Sequence, residues 1–137
     1  MPTLPSGLPE QVADDEDLAR FLTSSGHYNS TSVRHVAFLP NPKDGETSVF
    51  RHGRIPVREL WKIGSEEVAG DRTLHGAAFV KARDVRKAQL DVLATEPPPR
   101  HAAIRDWPTD SDLDLQKARR KEIAIVLASA AGAPFLK

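Results

Sequence analysis

The clearest pattern of apolar and polar positions lies near the carboxyl end of the chain. Apolar residues recur there at helical spacing, at Ile123, Val126, Leu127 and Ala130. Thr109 or Ser111 can cap such a helix, with an acidic residue three positions on, and Gly132 and Pro134 can end it. The pattern therefore predicts a long amphipathic helix at the carboxyl end.

Two neighbouring segments have the composition of strands. Residues 33–39 are rich in β-branched and aromatic side chains, and residues 47–52 alternate between apolar and polar side chains. Residues 40–45 combine two prolines with an Asp-Gly pair, which is typical of a turn. The sequence thus predicts a β-hairpin with a long loop over 33–52.

Two shorter helices are predicted around this hairpin. An acidic run at 14–17 precedes Leu18, Phe21 and Leu22, and acidic side chains are favourable at the positive end of a helix. A second helix is predicted over 56–70, because Pro56 suits the first helical position and the apolar residues that follow share one face.

The segment after this second helix predicts strands over 76–80 and 91–96, with a short helical turn over 84–90 between them. Three consecutive prolines at 97–99 end the second strand because proline cannot donate to a ladder. Residues 101–108 are interpreted as a packed connection into the last helix.

Together these elements predict an α+β fold. We expect a small mixed or antiparallel sheet that includes a hairpin, covered by helices, with the long amphipathic helix at the carboxyl end. Residues 1–13 contain three prolines and few large apolar side chains, so they are predicted to form a flexible N-terminal tail. Residues 14–137 then form a single domain.

Length and composition narrow the class of protein. The chain has 137 residues, no cysteine and no apolar run near the roughly 18 residues that a membrane span needs. The N-terminal residues lack the pattern of an export signal, and nothing indicates an oxidising compartment. We therefore expect a cytoplasmic protein that has no contact with a membrane.

The distribution of charge is uneven although the total is balanced. Nineteen basic and nineteen acidic residues cancel over the whole chain. Residues 32–105, however, carry thirteen basic and nine acidic side chains. This basic centre is weak evidence for a phosphate-bearing partner, and a mixed solvated surface explains it more simply.

The common motifs of cofactor and metal chemistry are missing. The sequence has no phosphate-binding glycine loop, no dinucleotide fingerprint, no nucleophile elbow and no His-Glu-x-x-His pattern. The five histidines are not closely paired, so neither a metal site nor a cofactor is predicted. The sequence shows no basic recognition helix, so sequence-specific DNA binding is not predicted.

One pattern points to chemistry, because three of the five histidines follow an arginine, at positions 34–35, 51–52 and 100–101. Imidazole changes charge near neutral pH and guanidinium binds phosphate, which together suit phosphoryl chemistry without a metal. The candidate catalytic residues are His52, His75 and His101. The candidate ligand-binding residues are Arg51, Arg54 and Arg100. Since adjacent strand residues face opposite ways, the simpler interpretation is structural, with each histidine packed on the core and its arginine in solvent.

Several segments together resemble a family of small bacterial proteins that has no assigned activity. They are FLTSSGHYNSTSVRHVAFLPNPKDGETSVFRHG, LHGAAFVKA and HAAIRDWP, followed by the closing amphipathic helix. The resemblance covers most of the chain and implies a stand-alone bacterial protein. It implies no activity and transfers no catalytic residue.

Two functional hypotheses follow. The first is a small intracellular bacterial binding or accessory module that engages a partner protein or a phosphate-bearing ligand through its Arg/His-rich central segment. The alternative is a metal-independent ribonuclease or phosphotransferase that uses a histidine pair with an arginine and takes RNA or a nucleotide as its partner. The sequence leaves open which ligand is bound, whether the protein is an enzyme, and its oligomeric state.

Overall fold

The computed structural model describes residues 2–52 and 54–137, and its centre is one six-stranded antiparallel sheet. Across the sheet the strands stand in the order β4-β5-β2-β1-β3-β6, and every neighbouring pair is antiparallel. The strands are β1 (Asp17–Leu22), β2 (Thr47–Arg51), β3 (Gly76–Lys81), β4 (Asp91–Ala94), β5 (His101–Arg105) and β6 (Phe135–Leu136). The predicted α+β class is confirmed.

Helices pack on both faces of this sheet. They are α1 (Val57–Ile63), extended by a π-helical turn (Gly64–Ala69), α2 (Ala82–Lys87) and α3 (Leu113–Ala131). Short 3-10 turns occupy Ser25–His27 and His35–Ala37. No helix in the part of the chain that the structure describes has the length and apolar character needed to span a membrane.

Alternation along the strands produces two cores, because successive side chains point to opposite faces. On one face, Leu18 and Val49 pack with Leu127 of α3 in a cluster that we call the α3 core. On the other face, Phe21 packs with Leu60 of α1 in a cluster that we call the α1 core. Both faces of the central strands are therefore buried, and any polar side chain on them must find a partner inside the fold.

The helix predicted to begin at the acidic run is wrong, since Asp17–Leu22 forms β1 at the centre of the sheet. A strand covered on both faces carries apolar residues in adjacent positions, which imitates helical spacing over a few residues. The acidic residues before β1 do not cap a helix. Glu16 forms an ion pair with Arg51, and Asp14 forms one with Arg86.

The predicted hairpin over 33–52 is half wrong. Its second strand exists as β2, but its first segment forms the 3-10 turn His35–Ala37 and buries Ala37 and Phe38 in the α3 core. The loop chemistry is as expected, with Gly45 at a φ of 71°. The hairpin in the sheet is instead β4–β5, because residues 101–105 form a strand and not a plain connection.

The helix after Pro56 and the strand at 76–80 are confirmed, as are the strand from Asp91 and the long C-terminal helix. The details of α3 differ from the prediction. Its cap is Asp112, whose side chain accepts from the backbone N–H groups of Asp114 and Leu115. Its buried stripe is Ala124, Leu127 and Ala128, while Val126 and Ala130 are exposed. Two alanines on the inner face let the helix approach the sheet closely.

The N-terminal segment, predicted to be a flexible tail over 1–13, lies against the domain where it is described. Ser6 donates to the carboxylate of Glu96, and Val12 is buried in the α3 core. The backbone carbonyls of Pro9 and Gln11 accept from Arg51. Few apolar residues are needed to hold the segment, because polar contacts satisfy its backbone.

Arg51, predicted to bind a ligand, is instead fully buried at the end of β2. Its Nε and Nη2 donate to the two oxygens of Glu16 at 2.7 and 2.8 Å. Its Nη1 donates to the carbonyl of Pro9 at 2.7 Å. Every nitrogen of the guanidinium is occupied, so this side chain joins the N-terminal segment to the sheet and is unavailable to a ligand.

We expect Arg51→Met to lower the free energy of unfolding by about 3 kcal/mol, because the substitution leaves the Glu16 carboxylate and two carbonyls without their donor. Urea denaturation measures the change. Arg83→Met removes an exposed arginine from α2 and serves as the control, with an expected change within about 0.5 kcal/mol. Equal losses in the two variants would contradict the structural role of Arg51.

Candidate functional site

The two central strands separate partway along their length. β1 pairs with β2 only at Leu18 with Arg51 and at Ala19 with Phe50, although it pairs with β3 over all six residues. Arg20 occupies the gap that follows. Its Nε donates to the carbonyl of Ala37 at 2.7 Å and its Nη1 to the carbonyl of Ser48 at 2.9 Å. The guanidinium thus replaces backbone pairing that the diverging strands have lost.

The separation opens a cleft of about 370 Å³ beside the strands. We call it the basic cleft and define it by Arg20, His27, Asn41, Ser48, Arg72 and His101. Its volume lies at the lower end of the range of small-ligand pockets. Phe21 and Phe50, both buried in the α1 core, form the apolar part of its lining.

Arg72 reaches the basic cleft from the segment that follows the π-helical turn. It is exposed, and its Nη2 donates to the carbonyl of Val68 at 2.7 Å, which orients the guanidinium. Among the described residues, no carboxylate lies within 4.0 Å of the nitrogens of Arg72 or Arg20, although Glu67 also lines the cleft. The cleft therefore holds two oriented guanidinium groups without a carboxylate in ion-pair contact.

The pKa values of Arg20 and His27 are lowered first by burial and then by the neighbouring positive charges. Burial, and then the charge of Arg72, lowers the pKa of Arg20 to about 10, so Arg20 still carries its charge at neutral pH. Burial likewise lowers the pKa of His27 below its ordinary 6.5, and the charges of Arg20, Arg72 and His75 lower it further. A bound anion would offset these charges.

His101 lies on another wall of the basic cleft, at the start of β5. Its Nδ1 is 2.6 Å from the hydroxyl of Thr95, and its ring meets Phe50 edge-on with centroids 5.2 Å apart. Burial lowers the pKa of His101, opposed by the hydrogen bond to the backbone carbonyl of Thr95 and by the charges of Glu46 and Asp44. Because this carbonyl, 3.3 Å from Nδ1, can only accept a hydrogen bond, we assign the proton to Nδ1 and the free lone pair to Nε2.

The other two candidate histidines lie outside the lining of the cleft. The ring of His52 packs on Phe79 with centroids 5.0 Å apart, and its buried Nδ1 has no hydrogen-bond partner among the residues described. Burial lowers its pKa, against the effect of Asp17 and together with that of Arg100. His75 Nδ1 lies 2.9 Å from the hydroxyl of Tyr28. Of the three predicted histidines, only His101 lines the cleft.

The remaining candidate arginines have different positions. Arg100 donates from Nε and Nη2 to the carbonyls of Arg51 and His52 at 2.9 and 3.1 Å, which fastens the β4–β5 turn to β2. Burial, and then the charge of Arg51, lowers its pKa. Arg54 is exposed and does not line the cleft. Arg51 has no guanidinium nitrogen left for a ligand, whereas Arg100 commits Nε and Nη2 to the fold and lies outside the lining of the basic cleft.

Sequence reasoning missed Arg20, His27 and Arg72. One signal for Arg20 was present, because an arginine between the apolar residues Ala19 and Phe21 requires a special partner if the segment is a buried strand. The helix prediction concealed it by placing the residue on a solvated face. Arg72 follows a turn and His27 is the last residue of the 3-10 turn Ser25–His27, and nothing in the local sequence distinguishes either from a surface residue.

Among the described residues, no group of three or more histidine, aspartate or glutamate side chains is placed to hold a metal ion. The chain matches no protein family, no curated protein and no solved structure. The resemblance to a bacterial family therefore stays a prediction.

We expect Arg72→Gln to raise the pKa of His27, because the variant removes one of the positive charges that oppose protonation of the ring. Titration of the imidazole signals by two-dimensional NMR measures this shift. Arg83→Gln removes the same charge from α2, which packs on the opposite face of the sheet, and should leave His27 unchanged. A His27 pKa that is insensitive to Arg72→Gln would contradict the charge cluster.

Proposed function

We propose that this protein is a binding module for a phosphate-bearing ligand, held in the basic cleft. The observation that carries the proposal is the pair of guanidinium groups, Arg20 and Arg72, that face one cleft without a carboxylate in contact with either. Charged side chains that a fold removes from water are ordinarily paired, as Arg51 is with Glu16. Arg20 is half-buried and Arg72 is exposed, and neither has such a partner among the described residues.

Phosphate is the anion that suits this arrangement best. A guanidinium offers a planar fork that matches two phosphate oxygens, and hydrogen bonds between charged groups are about twice as strong as neutral ones. Backbone carbonyls already accept from one edge of Arg20 and of Arg72, so both groups are oriented before a ligand arrives. The hydroxyl of Ser48 and the amide of Asn41 add neutral donors at the rim.

The size of the cleft favours a small ligand or one unit of a longer one. A volume of about 370 Å³ accommodates a phosphate group and an attached organic part. Phe21 and Phe50 supply apolar surface for that part, and the guanidinium groups supply the charge. We therefore propose a phosphate ester as the ligand, and a nucleotide or RNA phosphate is the form that the alternative hypothesis of the sequence analysis names.

The test is titration of the full chain with inorganic phosphate and with a nucleoside monophosphate, followed by NMR. We expect the His27 and His101 signals to shift and the pKa of His27 to rise, because the bound anion neutralises the arginines. Arg72→Gln should weaken binding about ten-fold to a hundred-fold, the loss of one charge-assisted hydrogen-bonding group.

Arg83→Gln is the matched control, since it changes the net charge equally and lies away from the cleft. Equal weakening in Arg72→Gln and Arg83→Gln would show only general electrostatic attraction and would contradict a defined site. Saturating phosphate with no response from His27 or His101 would also contradict the proposal. Arg20→Lys provides a second variant that keeps the charge while losing the fork, and its melting temperature shows whether the strands remain in place.

A further inference from the structure

Two imidazoles face the basic cleft from different walls. His27 shares its surroundings with Arg72 and belongs to the 3-10 turn after β1, whereas His101 begins β5. Their electrostatic neighbours differ accordingly. The positive charges of Arg20, Arg72 and His75 act on His27, while the carboxylates of Glu46 and Asp44 act on His101. The cleft therefore offers two titratable groups in unlike environments, with guanidinium groups in the same cavity.

The environments suit opposite roles in proton transfer. The backbone carbonyl of Thr95 accepts from Nδ1–H of His101, which orients the ring and, in this tautomer, leaves the lone pair of Nε2 as a base. His27 lies beside the groups that would bind the phosphate. Once those charges are offset by a phosphate, His27 takes up a proton more readily and becomes the acid. Pairs of titratable groups in unlike environments are a recurring basis for acid and base assignments.

We propose that the basic cleft cleaves RNA by transphosphorylation, with His101 as the general base and His27 as the general acid. This inference rests on the proposed function, because the phosphate must be held by Arg20 and Arg72. His101 Nε2 accepts the proton of the ribose 2′-hydroxyl, and the O2′ to phosphorus bond forms. The phosphorus to O5′ bond breaks, and His27 donates its proton to O5′. The products are a 2′,3′-cyclic phosphate and a 5′-hydroxyl, and no oxidant or further reactant is needed.

RNA is the substrate class that matches these residues, because it carries its own nucleophile. The reaction requires from the protein a base, an acid and a cation that stabilises the charge developing on phosphorus oxygens. The basic cleft supplies one imidazole for each proton transfer and two guanidinium groups for the charge. A 2′-deoxy strand can occupy the same cleft but cannot react.

The dependence of the rate on pH follows from the charged groups around each ring. The groups that face His27 are Arg20, Arg72 and His75, with Glu67 on the same cleft. Those that face His101 are Glu46 and Asp44. The pKa values of both rings lie below 6.5 in the free protein, chiefly through burial. We therefore expect kcat/KM to follow a bell centred below pH 6.5, falling at higher pH as His27 loses its proton.

The experiment uses the full chain with a dinucleotide, uridylyl-3′,5′-adenosine, and with its 2′-deoxy analogue, in the presence of EDTA. We expect cleavage of the first to the cyclic phosphate, and binding of the second without reaction. His101→Gln and His27→Gln should each lower kcat about 10²-fold to 10⁴-fold while the Kd for the 2′-deoxy analogue changes little. His52→Gln, prepared in the same way, is the matched control and should keep full activity.

The outcomes separate the two proposals. If the 2′-deoxy analogue binds and the dinucleotide is not cleaved, transphosphorylation is overturned and the proposed binding function stands. When neither compound binds, the inference is overturned, and the titration with inorganic phosphate and the nucleoside monophosphate decides the proposed binding function separately. Cleavage that persists unchanged in His101→Gln and His27→Gln would also overturn the inference, since another site or a contaminant would be responsible. If either variant does not fold, the pH profile of the native chain decides, and an optimum above pH 7 is contrary to the assigned roles.

Discussion

The separation of β1 from β2, with Arg20 in the gap, is the constraint on which the site depends. Two residue pairs join these strands, and the guanidinium makes the next connections by donating to the carbonyls of Ala37 and Ser48. A continuous ladder would close the cleft, and an apolar side chain in place of Arg20 would leave both carbonyls unsatisfied. The feature that completes the sheet therefore also places a cation at the cleft.

The arginines described above differ in what accepts from them. Arg51 directs its donors to the Glu16 carboxylate and to backbone carbonyls, and it fastens the N-terminal segment to β2. Arg20, Arg72 and Arg100 donate to backbone carbonyls and have no carboxylate in contact among the described residues. Arg20 and Arg72 are the two of these that line the basic cleft, where a bound anion would offset their charge.

The proposed ligand binding and the proposed proton transfer would share one electrostatic cause. Burial, and then the charges of Arg20 and Arg72, lowers the pKa of His27, and the same two charges would attract an anion. Binding of phosphate would reverse this second effect, which couples the charge of His27 to occupancy of the cleft. His101 responds to a different set of groups, including Glu46, and its ring is held by Thr95. The two rings are therefore able to differ in protonation although they face the same cavity.

The pattern of residues along the chain predicted the elements that short-range interactions determine: α3, the helix after Pro56 and the turn around Gly45. The pattern failed for β1, because burial on both faces removes the alternation that identifies a strand. It also failed for the Arg/His pairs, because residues adjacent in the chain need not share a pocket. By itself the sequence determined the α+β class and one member of the site, His101. Only the tertiary structure decided which arginines are neutralised, since the partners of Arg51 and Arg20 come from segments far away in the chain.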